Sequence, residues 1–215
     1  LYPQKYKYMK RIHLLLSLCL FVLVVSAQRP SKLEVYPAPL GVEMKNDFTV
    51  KVRIPGGEWK AVDTYMVKVD EVRDTKHCVE KASLAYFDFE GEVEVSVTSN
   101  IGPIETGRVR PLSYDIAPTI EGNTMTFKLD RPRNLSVEVN GDIFHNLHLF
   151  ANAIDVNKPQ KPKKDKNLIY FGPGVHRLTN DSLAVPSGKT VYIAGGARVF
   201  GTLHVQDVEN VKIFG

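Results

Sequence analysis

Cysteine is almost missing from this chain of 215 residues, which holds only Cys19 and Cys78. Cys19 lies in an apolar run near the start; once that run is removed, Cys78 stands alone and no internal disulfide can form. Exported proteins without disulfides depend on a sizeable apolar core, and about 190 residues suffice for one or two. Long hydrophobic runs are as scarce. The run from Leu14 to Val25 falls short of the roughly 20 residues that cross a bilayer as a helix. With Lys10-Arg11 before it and Val25-Ser26-Ala27 closing it, it reads as a secretory leader cleaved after Ala27. The alternative, an uncleaved anchor, fits that length less well. A secreted or periplasmic location follows, with no membrane partner after cleavage.

A charge excess is missing too. The formal net charge is +4, and Lys5, Lys7, Lys10 and Arg11 supply all of it ahead of Ala27, where no acid occurs. The remainder is neutral and lacks the basic footprint with which nucleic-acid binders neutralise phosphates. The five lysines between Lys158 and Lys166, interleaved with Pro159 and Pro162, read as a solvated linker. Phosphate-cradling loops are lacking as well, since no glycine pair leads into a Gly-Lys-Ser/Thr signature.

What the chain has is alternation. Phe48–Ile54, Glu92–Val97, Met125–Leu129 and Leu135–Val139 place apolar and polar residues in turn, the mark of strands with one face in a core. Pro55-Gly56-Gly57, Gly102-Pro103, Glu121-Gly122-Asn123 and Asn140-Gly141-Asp142 separate them with turn chemistry. No helical period competes. The organisation expected is a leader with its upstream residues over 1–27, an antiparallel β-sandwich over 28–155 and a Lys/Pro-rich linker over 156–167. A different pattern then occupies 168–215. Ile169-Tyr170-Phe171-Gly172-Pro173-Gly174-Val175-His176 matches Val191-Tyr192-Ile193-Ala194-Gly195-Gly196-Ala197-Arg198 in character, and a third copy starts at Val211. The steps are 22 and 20 residues. A period near twenty, built from β-runs and glycine turns, predicts the first coils of a parallel β-helix. The fold class expected is therefore all-β.

The chemistry-bearing residues are few. Asp88, Glu90, Glu92 and Glu94 recur at period two, which predicts the wet face of one hairpin rather than the acid and base of a glycosidase. His145 and His148 stand three apart, a weak metal signal better explained by a loop-to-strand junction. Asp155, Asp181 and Asp207 fall in loop or corner contexts, where aspartate serves turn geometry. Cys78 beside His77 suggests an activated thiol, but neighbours on a strand point apart, so a buried structural cysteine is expected. Trp59, Tyr65 and Tyr86 are candidate sugar platforms, and equally candidate core residues with a wet polar tip. The residues thus assign no catalytic, metal or cofactor-binding position, and leave the substrate-binding residues unknown.

The stretches Asn167–His176, Ser187–Ala197 and Asn210–Gly215 resemble the opening coils of polygalacturonase-like glycosidases, glycoside hydrolase family 28, in the pectin-lyase-like β-helix superfamily. The layout is also similar to dextranases and isopullulanases, which set a β-sandwich before a right-handed β-helix. Val109-Arg110-Pro111-Leu112-Ser113 through Leu149-Phe150-Ala151-Asn152 resembles the end of that sandwich. The resemblance implies a secreted hydrolase of O-glycosidic bonds in a polysaccharide, either pectin-like or an α-glucan, without a cofactor. In these families the catalytic aspartates, a histidine and a basic pair lie on middle coils. No position here matches them, so the resemblance implies catalytic coils beyond residue 215. A non-catalytic carbohydrate-binding or adhesin protein, and a polysaccharide lyase, are the alternatives.

Overall fold

The computed structural model describes residues 31–159 and 164–215. The leader, its cleavage point and part of the lysine-rich stretch lie outside the described residues. In chain order the first strands are β1 (Lys32–Val35), β2 (Phe48–Arg53), β3 (Lys60–Val62), β4 (Tyr65–Arg73), β5 (Lys76–Glu90) and β6 (Val93–Ser99). They are followed by β7 (Gly107–Arg110), β8 (Thr119–Glu121), β9 (Thr124–Leu129), β10 (Arg133–Val139) and β11 (Asp142–Ala153). The last five are β12 (Leu168–Phe171), β13 (Gly174–Ala184), β14 (Thr190–Ile193), β15 (Ala197–His204) and β16 (Lys212–Phe214). The molecule is all-β. A 3₁₀ turn spans Leu112–Tyr114, and among the described residues no helix is long and apolar enough to cross a membrane.

Alternation builds the first unit. Every second residue of β6 is buried, and β2 follows the same rule over most of its length. The antiparallel register sets Val50 opposite Val97 and Val52 opposite Val95. β2 and β6 belong to a five-stranded sheet ordered β3-β2-β6-β9-β8. A six-stranded sheet, β1-β5-β11-β10-β7 with β4 also paired to β5, supplies Phe87, Phe89, Val137, Leu147 and Leu149 to the same core. Each such side chain, fully withdrawn from water, contributes about 1.5–3 kcal/mol.

The six-stranded sheet departs from the expected antiparallel arrangement at one pair. β5 and β11 run parallel, with Ser83–Phe89 beside Leu147–Ala153. Alternation records which face is buried and carries no direction. Here the chain leaves β5 at Gly91, whose φ is +86°, lays down most of the other sheet and returns to the β5 edge in the same sense.

The residues after 167 pair differently. β12, β14 and β16 form one parallel sheet, and β13 and β15 another. Ile169 lies beside Val191, and Val191 beside Ile213. Both steps are therefore 22 residues, which corrects the expected third start at Val211 by two positions. The reason is side-chain matching. Tyr170 stacks on Tyr192 at 5.7 Å, and Tyr192 meets Phe214 edge-on at 5.3 Å, so aromatic registers on aromatic. A one-residue offset also enters the second sheet, where Gly174 pairs with Ala197 rather than Gly196. A separate small core holds Phe171, Val185 and Val191.

The two units meet at a glycine. A Cβ on Gly195 would come within 2.5 Å of the Tyr36 ring, so only glycine lets that ring lie against the chain.

Candidate functional site

Two concave places carry the polar and aromatic side chains of interest. The first is the seam between the units, a cavity of about 250 Å³ lined by Tyr36, Tyr65, Tyr86, Asp88, Asn152 and Tyr192 among others. Tyr36 follows β1 and stacks on Tyr86 of β5, with ring centroids 5.6 Å apart. Its hydroxyl donates to Asp88 at 2.7 Å, while Glu34 faces the same oxygen at 2.9 Å. Asn152 Nδ2 reaches the other Asp88 oxygen at 3.4 Å. From the stacked strands, the Gly196 N–H donates to the Tyr86 hydroxyl at 2.7 Å, and Arg198 donates to the Gly41 carbonyl at 3.0 Å.

Burial dominates the electrostatics of the seam. It raises Asp88 above the usual carboxylate value, against the lowering effect of the Tyr36 and Asn152 hydrogen bonds. It pushes Tyr65 up to about 12. Burial, and then the neighbouring Asp88 carboxylate, raises Tyr36 further, and Tyr192 rises through burial and Asp155. Tyr36 thus stays a neutral donor at physiological pH and holds Asp88 across the seam.

The second place is an open groove of about 790 Å³ on the five-stranded sheet. Trp59, which precedes edge strand β3, and Tyr114, which precedes the opposite edge strand β8, both line it. Between them run Arg53, Glu94 and Lys128, register partners on β2, β6 and β9. Arg53 Nε donates to Glu94 at 2.7 Å, and Lys128 lies 3.7 Å from Glu94 and 3.4 Å from Glu92. Arg53 also covers the Trp59 ring at 4.3 Å, and Arg133 covers Tyr114 at 4.0 Å.

These positions revise several expectations. The acidic series does not share one hairpin face, because the chain changes sheets at Gly91. Asp88 and Glu90 stay on the six-stranded sheet, while Glu94 belongs to the five-stranded one. Asp88 enters the seam and Glu92 and Glu94 line the groove; Glu90, paired with Lys32 at 3.0 Å, comes nearest to the expected wet face. His145 and His148 lie within β11 rather than at a loop junction. His145 is held by Asp142 at 2.9 Å and Glu80 at 3.3 Å. His148 is half-buried, its Nε2 lacks a partner among the described residues, and burial lowers its pKa.

Cys78 is half-buried rather than buried, because the β4–β5 hairpin extends past the core and leaves Val72 and Val79 exposed. Its neighbour His77 pairs with Asp70 instead, at 3.1 Å. Asp207 adopts φ of +53° in a loop, the turn geometry expected, whereas Asp181, with φ of +52°, lies within β13 at its register break. Asp155 accepts from the Asn157 N–H at 2.8 Å, yet it also lines the seam. Of the aromatic candidates, Trp59 reaches the groove and Tyr65 and Tyr86 the seam. Tyr36 and Tyr114 were not legible as site residues, since no spacing sets them apart from core tyrosines. No group of three His, Cys, Asp or Glu among the described residues is arranged to hold a metal ion.

Comparison with known proteins places this geometry in a fold. No family model and no curated protein matches the chain. Among solved structures it is similar to Dex49A from Penicillium minioluteum, with a TM-score of 0.53 and 15% identity. The match covers 79% of this chain and 44% of Dex49A, so the chain spans less than half of that protein. At this identity the likeness shows a shared β fold alone and does not single out the polygalacturonase family.

Proposed function

We propose that the chain is the N-terminal part of a secreted glycoside hydrolase that cleaves O-glycosidic bonds in a polysaccharide. On this reading a β-sandwich leads into a right-handed parallel β-helix, and the bond-breaking coils follow residue 215. The observation that carries it is the strand stacking after residue 168. Parallel β12, β14 and β16 repeat in register every 22 residues behind a two-sheet unit, a layout similar to that of Dex49A, a dextranase. Parallel coils stacked this way offer a long face suited to an extended polymer. The same likeness favours an α-glucan over polygalacturonate as substrate.

The test is reducing-end release from dextran and from polygalacturonate by the longest natural form of the protein. Hydrolysis of dextran is expected. Retention of both polymers without cleavage would establish the binding or adhesin alternative instead, and unsaturated product ends would establish a lyase.

A further inference from the structure

The groove on the five-stranded sheet is not used by the reading above, which places cleavage on the stacked coils. Its walls come from both edges of the sheet. Trp59 stands before β3 and Tyr114–Ala117 before β8, so the groove crosses β2, β6 and β9 at right angles to the strands. Four inter-strand spacings make it about 19 Å long, and it lies within the volume range of small-molecule sites.

The lining has a particular chemistry. The protein's single tryptophan remains 36% exposed in the groove, with Arg53 stacked against the indole. That stacking fixes the ring before any ligand arrives, which lowers the ordering cost of binding. The floor presents side chains that bond hydroxyl groups: the Glu92 and Glu94 carboxylates, and the hydroxyls of Thr119 and Thr126, register partners on β8 and β9. The two lining cations, Arg53 and Lys128, are already engaged by Glu94, and Asp130 is in turn paired with Arg131 at 2.8 Å. A polyanion therefore finds both lining cations already bound to carboxylates. Nothing in that lining favours phosphate or uronate, and the rigid aromatic beside hydroxyl-bonding groups suits a molecule with one apolar face and many neutral hydroxyls.

We propose that this groove is a binding site for a neutral glycan chain, separate from the site of bond cleavage, with Trp59 as its stacking platform. The assignment rests on the polysaccharide reading for its biological sense but stands or falls on binding alone. Trp59 and Glu94 act as binding residues and take no part in catalysis.

The experiment is affinity electrophoresis of the chain in gels containing dextran, polygalacturonate or a poly-lysine control. Retardation by dextran is expected, and Trp59→Ala should weaken it about tenfold or more. Trp59→Phe should recover most of it, and Glu94→Gln should weaken it less. Melting curves of each variant separate lost binding from lost folding. No retardation by dextran, equal retardation of Trp59→Ala with an intact melt, or preference for polygalacturonate or poly-lysine each overturns the proposal. If the natural protein cleaves dextran while the groove variants bind it as the parent does, the groove fails and the hydrolase reading survives. Trp59-dependent binding without hydrolysis has the opposite meaning.

Discussion

The two-sheet unit and the stacked-strand segment are both all-β, yet they are stabilised on different scales. The first closes Phe87, Phe89, Val95, Leu147 and Leu149 between two sheets, each essentially without solvent exposure. The second buries Phe171, Val185, Val191, Tyr192 and Ala194, while Ile169, Ile193, Val199 and Val211 remain partly wet. Two facing sheets cover each other in one act. A stacked strand covers only its neighbours above and below, so its stability accumulates repeat by repeat. The seam adds a third contribution, through Tyr36, Tyr86 and Gly196.

The sharpest test of this contrast is a pair of truncations. Phe87→Ala should cost about 3–5 kcal/mol and unfold the two-sheet unit, visible as a large fall in the melting temperature. Val191→Ala removes less volume from a core that can relax, and should cost about 1–2 kcal/mol while leaving the main transition in place. Equal effects on one shared transition would mean that the two regions fold as a single cooperative body.

Hydrogen exchange tests the same difference without mutation. Amides of β2 and β6 should exchange only through global opening, whereas those of β14 and β16 should exchange through local opening, faster by orders of magnitude. Protection of Val191–Ile193 equal to that of Val50–Arg53 in a monomer would erase the distinction.

The seam can be loosened on its own. Gly195→Ala puts a methyl group into the Tyr36 ring and should cost about 1–3 kcal/mol through overpacking. Proteolysis should then release the stacked strands while the two-sheet unit resists.

The smallest effects are those of pH, and two half-buried groups should act in opposite directions. Burial raises Asp88 in the folded state, so its contribution is full below the ordinary carboxylate value and is lost as pH rises through the raised one. Asp88→Asn, which keeps an acceptor for Tyr36, should raise the melting temperature at neutral pH, with a gain that shrinks in acid. Burial lowers His148, so its contribution is full above the ordinary histidine value and is lost as pH falls through the lowered one. His148→Leu should flatten the acid side of the stability profile. A gain from Asp88→Asn that grew toward acid would reverse the assignment.

Much of the fold was legible because burial leaves a mark at period two. Val50, Val52, Val93, Val95 and Val97 could be assigned to a core before any pairing was known. The repeat around Tyr170 and Tyr192 likewise predicted which strands would lie side by side. The site was far less legible. Asp88, Glu92 and Glu94 form one unbroken alternation, and nothing in it marks the change of sheet at Gly91. That change sends Asp88 to a tyrosine-lined seam and Glu94 to a groove floor. His145 and His148 share a strand, but the Glu80 that holds His145 becomes known only once β5 and β11 are placed together.

By itself the sequence determined the all-β class, the repeat and the faces of most strands, because these depend on residues close together along the chain. Tertiary structure alone decided the parallel pairing of β5 with β11, the 22-residue register of β16 and the placing of Trp59 and Tyr114 at opposite ends of one groove. Each of those is set by contacts between residues far apart in sequence, where direction, register and distance follow from how sheets pack and leave no periodic trace in the chain.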